Sequence, residues 1–190
     1  MNTPTSRRAD EEPLCLMSPV CLTGYMGAGK TTVGRELALR LGCSFIDLDT
    51  EIEAKSGRSI GDIFATDGED AFRTLERNTL EEILRTSDPF VLSLGGGTLQ
   101  TSASRDLIEA RKVHSFYLEA PIEELWRRCS LSPTRETTRE RPLLAMGETA
   151  FRDRFSQRER NYRNARATIG TMGKSLDQVV TDCIAALRVI

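Results

Sequence analysis

Histidine is almost missing from this chain: His114 is the only one among 190 residues. A Ser-His-Asp triad and a histidine-rich zinc site therefore both lack their materials. His114 itself falls in an apolar run and reads as a strand residue. Cysteine offers little more. Cys15, Cys21, Cys43, Cys129 and Cys183 are odd in number, scattered and without a C-x-x-C pair. That argues against a disulfide framework and reads as reduced, mostly buried thiols. Aromatic residues make up only 6%, and no apolar run approaches the roughly 20 residues that cross a bilayer. Residues 1–13 are polar and charged, with no apolar stretch of the kind a signal peptide needs. They are expected to form a disordered tail ahead of a single domain over 14–190, in a cytoplasmic protein that needs no membrane.

Charge is nearly balanced, at a formal −2, but unevenly spread. Residues 1–126 carry 13 Lys and Arg against 21 Asp and Glu, whereas 127–166 carry 11 Arg against 5 acids. Positive charge is thus local and supplied by arginine, which suits planar, bidentate recognition of anions. Binding of RNA by this stretch would need an aromatic platform. Only Phe151, Phe155 and Tyr162 interleave its arginines, and two of them suit a buried helix face, so no nucleic-acid partner is expected.

What the chain does have is Gly24-Tyr25-Met26-Gly27-Ala28-Gly29-Lys30-Thr31, the pattern G-x-x-x-x-G-K-T, directly after the apolar run Val20 to Leu22. Glycines there let successive backbone N–H groups close around phosphate oxygens, and the following helix adds the positive end of its dipole. Gly27, Ala28, Gly29 and Thr32 supply that cradle. Lys30 reaches the β- and γ-phosphates, and the Thr31 hydroxyl takes a magnesium position. Val33, Leu37 and Leu41 recur at helical spacing behind the loop, giving the strand, loop and helix that this mechanism requires.

Downstream, short apolar runs alternate with helical patterns. Strands are expected at Cys43 to Leu48, Phe90 to Leu94, Val113 to Leu118 and Ala167 to Ile169. Helices are expected at Thr50 to Ser56, Ser59 to Phe64, Glu69 to Arg85, Ser104 to Arg111, Pro121 to Arg128 and Glu148 to Asn164. A last helix follows the capping-box pattern Ser175-x-x-Gln178. This order predicts a three-layer α/β/α fold: a five-stranded parallel sheet covered on both faces, of the P-loop NTPase type, with ligands at the carboxyl ends of the strands. Residues 129–147 are polar and aperiodic, long for a connection within a compact domain, and are expected to form a mobile lid.

Three further features sit at strand ends. Asp47 and Asp49, read as two apart on an extended segment, would point the same way about 6.5 Å apart. If that strand lies beside the phosphate loop, Asp47 would lie nearer the metal and Asp49 nearer the group that receives the phosphoryl. The triplet Gly95-Gly96-Gly97 exceeds what a turn needs, so a small substrate is expected to lie on its backbone. Arg73, beside the buried stripe of its helix, has Glu76 three residues on as an orienting partner. Arg158 lies on the arginine-rich helix one turn before Tyr162. Arg127, Arg128, Arg135, Arg139 and Arg141 flank or populate the polar loop, where one could swing onto the phosphates in cis.

Taken together, these motifs resemble the shikimate kinase family over nearly the whole chain from Cys21. The matching segments are Gly24 to Gly34, Phe45 to Asp49 (F-I-D-L-D), Gly57 to Phe64, Gly68 to Glu76 (G-E-x-x-F-R-x-x-E), Leu94 to Gly97 and Arg141 to Leu144 (R-P-L-L). The resemblance implies transfer of a phosphoryl group from ATP to the 3-hydroxyl of shikimate, in aromatic amino-acid biosynthesis, with Mg²⁺; separately, a monomer is expected. It implies that Lys30 and Thr31 hold phosphates and metal, that Asp47 supports the metal through water, and that Asp49 with the backbones of Gly96 and Gly97 grips the acceptor hydroxyls. Arg73 and Arg158 would clamp the carboxylate, Arg128 would border the adenine, and Arg141 would be the lid arginine on ATP. Two departures leave alternatives open. The stretch between Arg128 and Arg141 is longer than the family's lid, so Arg135 or Arg139 could take that role, and Arg160 stands where the family carries proline. A gluconate kinase and a nucleotide-dependent switch remain competing readings. Gly95 to Gly97 and Arg73 count against the first, and the second has no need of Asp49.

Overall fold

A computed structural model of the chain describes residues 18–131 and 147–189. The tail expected at 1–13 and most of the lid expected at 129–147 lie outside the described residues. Five strands form one sheet: β1 (Val20–Thr23), β2 (Ser44–Asp47), β3 (Phe90–Ser93), β4 (His114–Glu119) and β5 (Ala167–Gly170). All pairs are parallel, in the order β2-β3-β1-β4-β5. The helices are α1 (Lys30–Leu41), α2 (Leu48–Ser56), α3 (Ile60–Leu84), α4 (Ser102–Ala110), α5 (Ile122–Leu131), α6 (Gly147–Tyr162) and α7 (Leu176–Val189). The sheet and its two helical layers are those the alternating pattern predicts. Residues 129–131 and 147 belong to helices α5 and α6 and so bound the expected lid more narrowly.

Successive residues of β1 face opposite ways and sort the core into two layers. Val20 and Leu22 pack with Val33, Leu37 and Leu41 of α1 and with Val179, Val180 and Cys183 of α7. Cys21 instead joins Phe72, Leu80 and Ile83 of α3 and Ile108 of α4. The helices that follow β1 and β3 therefore lie on opposite faces. Between those neighbouring strands a crevice opens at the carboxyl ends, the usual ligand position in such sheets. The amide of Leu94 donates to the Leu22 carbonyl (3.0 Å), tying the two loop starts together.

Local signals explain most boundaries. The capping box at α7 is complete: the Gln178 amide donates to Ser175 Oγ (3.2 Å) and the Ser175 amide to Gln178 Oε1 (2.8 Å). The two helical pieces expected at Ser59 to Phe64 and Glu69 to Arg85 run as one element, α3, with non-helical dihedrals at Gly68 (φ 82°, ψ 178°). Among the described residues no helix is long and apolar enough to cross a membrane.

Candidate active site

Helix α1 begins without help from its own side chains. Its N-cap is Gly29 (φ 90°), no side chain caps it, and its first turn holds no acidic residue. The first-turn N–H groups are thereby left for an outside anion, which the dipole also favours. Gly27 (φ 83°) adopts a left-handed backbone as well, and a Cβ there would sit 2.8 Å from Cys129 Sγ and 2.9 Å from the Leu125 carbonyl. The loop is held against α5 as closely as glycine allows. Lys30 Nζ donates to the carbonyls of Gly24 (2.9 Å) and Tyr25 (3.2 Å), curling over the loop it is to serve. Loss of water lowers its ammonium below the ordinary lysine value, while Asp49, and then Asp47, oppose the shift.

The Thr31 hydroxyl donates to Asp47 Oδ2 (3.0 Å). The extended Asp47-Leu48-Asp49 segment expected from sequence is not what forms. Strand β2 ends at Asp47, which caps α2 by accepting from the Thr50 amide (3.3 Å), and Asp49 lies in the first turn of that helix. A capping aspartate starts a helix wherever the next residues permit, and this local hydrogen bond overrides the extended geometry. Nor is β2 adjacent to β1, since β3 lies between them. Asp47 still meets Thr31 because α1 starts above the strand ends.

The glycine triplet is where the predicted acceptor residues converge. None of its three glycines has a left-handed backbone. The reason for glycine is contact: a Cβ on Gly95 would lie 2.8 Å from Asp49 Oδ1 and 3.3 Å from Glu76 Oε1, and one on Gly97 would lie 2.6 Å from Arg73 Nη2. One on Gly96 would be 3.6 Å from Arg158 Nη1 and 3.9 Å from Tyr162 Oη. Asp49, Glu76, Arg73 and Arg158 thus ring one short backbone segment. Glu76 is 1% exposed and holds Arg73 Nη1 at 2.8 Å, and its other oxygen accepts from Thr98 Oγ1 (2.7 Å). A buried carboxylate satisfied on both oxygens fixes the guanidinium it pairs with. Burial pulls the Arg73 guanidinium down, but Glu76 and Glu69 together more than offset this, and the group stays firmly charged.

Arg128 reaches Thr171 Oγ1 (3.0 Å), the Thr171 carbonyl (3.2 Å) and the Gly27 carbonyl (3.4 Å), with Glu124 bonded to its Nε (2.8 Å). This sets it at the outer rim of the phosphate loop, beside the segment after β5. Arg135, Arg139 and Arg141, the candidates for the lid arginine, lie outside the described residues. Three participants escaped sequence reasoning: Thr98, which supports Glu76; Thr171, which seats Arg128; and the Tyr162 hydroxyl, which donates to the Gly96 carbonyl. A signal for Arg158 was present but unused. Phe151, Phe155, Arg158 and Tyr162 follow one another at spacings of four, three and four, so Arg158 shares the inward stripe of α6.

A parallel sheet with an N–H cradle at one strand end and a carboxylate with two arginines beside it defines a P-loop kinase of small anionic molecules. The shikimate kinase family model matches residues 26–188. The shikimate kinase of Persephonella marina is 37% identical over 173 residues, covering 90% of this chain and 100% of that protein. That of Rhodopseudomonas palustris is 39% identical over 172 residues, covering 90% and 81%. The solved shikimate kinase from Acinetobacter baumannii in complex with shikimate superposes with a TM-score of 0.80 at 35% identity, covering 91% of this chain and 94% of that one. The chain belongs to the shikimate kinase family.

Proposed function

We propose that the protein transfers the γ-phosphoryl group of ATP to the 3-hydroxyl of shikimate, giving shikimate 3-phosphate and ADP. The convergence of Asp49, Arg73 and Arg158 on Gly95 to Gly97, beside Lys30, is the observation that carries this reading. A small acid bearing ring hydroxyls needs what is there: guanidiniums for its carboxylate, a carboxylate and bare backbone for its hydroxyls. Family membership and the shikimate bound to the Acinetobacter baumannii relative support the choice of acceptor.

The geometry supports the following roles. The amides of Gly27, Ala28, Gly29, Lys30, Thr31 and Thr32 cradle the phosphates, and Lys30 exchanges its carbonyl partners for phosphate oxygens. Thr31 and Asp47 fit Mg²⁺, a hard ion that takes oxygen ligands, keeps several waters and needs few from protein. When bound, such an ion neutralises charge on the phosphate oxygens. Asp49 orients the attacking hydroxyl in line with the phosphorus. As the new O–P bond forms, the bond to the β-phosphate oxygen breaks and ADP leaves. A loose transition state asks for little proton abstraction while the bond forms, so Asp49 serves mainly to orient the hydroxyl, and its carboxylate takes up the hydroxyl proton as the ester is completed. Arg73, held by Glu76, and Arg158 grip the carboxylate of the acid. Arg128 borders the adenine, and a lid arginine, Arg141 in this reading, closes on the phosphates. The chain acts as one domain and as a monomer in the cytoplasm.

A coupled assay for ADP with shikimate and a panel of sugar acids tests the proposal. ADP release that depends on shikimate and not on gluconate is the expected result. Turnover of ATP indifferent to shikimate would favour a nucleotide switch instead.

A further inference from the structure

Helix α6 carries more than Arg158. The two ends of its inward stripe are bonded to different halves of the site. Near its start, Tyr25 Oη, inside the phosphate loop, donates to the Phe151 carbonyl (2.9 Å). The Tyr25 ring meets Phe151 and Phe155 edge-on, with centroids 4.7 and 5.4 Å apart. At its end, Tyr162 Oη donates to the Gly96 carbonyl, and its ring stacks on Tyr117 at 5.5 Å. Arg158 stands between these anchors, four residues before Tyr162 and seven after Phe151. A hydrogen-bonded helix is stiff over the ~16 Å that separate the anchors, so fixing both ends fixes what stands between them. Phenylalanine would fill either ring's space. The hydroxyls therefore serve orientation rather than packing, since a buried hydroxyl gains little over an apolar group unless geometry needs it. Both remain protonated donors at neutral pH: burial pushes Tyr25 up to about 12 and raises Tyr162 as well, against the opposing charge of Arg158.

We propose that the hydroxyls of Tyr25 and Tyr162 are positioning groups that act through Arg158. Tyr25 ties the placement of the Arg158 guanidinium to the nucleotide loop, and Tyr162 ties it to the glycine triplet. A side chain of the phosphate loop thereby serves the acceptor and not the nucleotide. The inference rests on the reading of Arg158 as a carboxylate ligand.

Steady-state kinetics on the full chain, with ATP and shikimate varied in turn, test it for Tyr25→Phe, Tyr162→Phe, Arg158→Ala and the pairs that combine each tyrosine change with Arg158→Ala. Tyr25→Phe is expected to raise the shikimate KM about three- to tenfold, the worth of one buried hydrogen bond. The ATP KM should stay within about twofold. In the Arg158→Ala background neither tyrosine change should add to the shikimate KM, because the group they position is gone. A Tyr25→Phe effect that falls on the ATP KM, or one that adds in full to that of Arg158→Ala, overturns the proposal. Should Arg158→Ala itself leave the shikimate KM unchanged, the Arg158 assignment fails, and that outcome is separate from a silent Tyr25→Phe. Phe155→Leu loosens the seat of the Tyr25 ring while sparing both hydroxyls. It should shift the same KM in the same direction, and it keeps the test decisive if Tyr25→Phe does not fold.

Discussion

The Thr31 hydroxyl donates to the Asp47 carboxylate across 3.0 Å, joining the first turn of α1 to the N-cap of α2. The contact spans two strands that are not neighbours in the sheet, so it depends on both helices starting at the same height. It assembles a hydroxyl and a carboxylate, both oxygen donors, at the mouth of the phosphate cradle. The same carboxylate caps α2 through the Thr50 amide, so any ion held there is held by a side chain already fixed at its base.

Asp47→Asn separates these two duties. An amide oxygen still caps a helix, so thermal stability should fall by less than about 1 kcal/mol. The neutral side chain supports a divalent ion poorly, and kcat/KM should drop about 100-fold while the Mg²⁺ concentration for half-maximal rate rises. Titration of rate against Mg²⁺ checks this. An unchanged magnesium requirement would remove Asp47 from the metal's support.

Gly97→Ala should weaken acid binding and folding together. The glycine has φ −112°, open to any residue, so the backbone offers no resistance. The added methyl instead meets Arg73 Nη2 at 2.6 Å, the far end of a side chain able to swing aside. Swinging Arg73 aside leaves the buried Glu76 carboxylate short of its partner, so stability should fall by about 1–3 kcal/mol. Displacing Arg73 from its partner Glu76 should raise the shikimate KM at least about tenfold, as loss of one charge-assisted pair would, with ATP affinity unaltered. Isothermal titration with each ligand separately provides the measurement.

What could be read from sequence is what local physics dictates. The phosphate loop was legible because strand, glycines, lysine and helix lie within a dozen residues, and the capping box of α7 because its two partners are three apart. The order of the strands was not, since parallel pairing leaves no trace in any one segment. For Asp49, strand and helix-cap patterns compete over the same residues, and capping by Asp47 wins. For the triplet, the sequence pointed to a substrate on its backbone, whereas the groups that stand against the glycines are side chains, Asp49 and Arg73, brought by other elements. The bond from Tyr162 to the Gly96 carbonyl spans 66 residues and left only a weak signal, the spacing of the α6 stripe.

Gly34→Ala should destabilise the fold although it removes a glycine from the interior of α1. Alanine gains about 1 kcal/mol over glycine in a helix. Here, however, its Cβ would stand 2.5 Å from Phe45 Cε2 and 3.3 Å from Leu22 Cδ1, where α1 presses on the sheet. Overpacking of this kind costs about 1–3 kcal/mol, so a net loss of about 1 kcal/mol is expected from urea unfolding. Adding Phe45→Leu should recover part of it. A Gly34→Ala variant more stable than the parent would show that α1 can move away from the sheet at little cost.

Acid should expose the pair of contacts that seats Arg128. Arg127, and after it Arg128, hold the Glu124 carboxyl down at about 2, against 4.5 for the free group. A lowered folded-state value means that the stabilisation is fully present above about 4.5 and is lost as pH falls toward 2. Arg127 is largely exposed, so solvent screening limits the whole effect to about 0.5–1 kcal/mol. Unfolding in urea at pH 7, 5 and 3 for the parent and Glu124→Gln checks the sign. Parent and variant should differ by a constant amount from pH 7 to 5, and more than half of that gap should close by pH 3. A gap that holds at pH 3, or that widens there, would mean that the carboxylate is not what steadies Arg128 against Thr171.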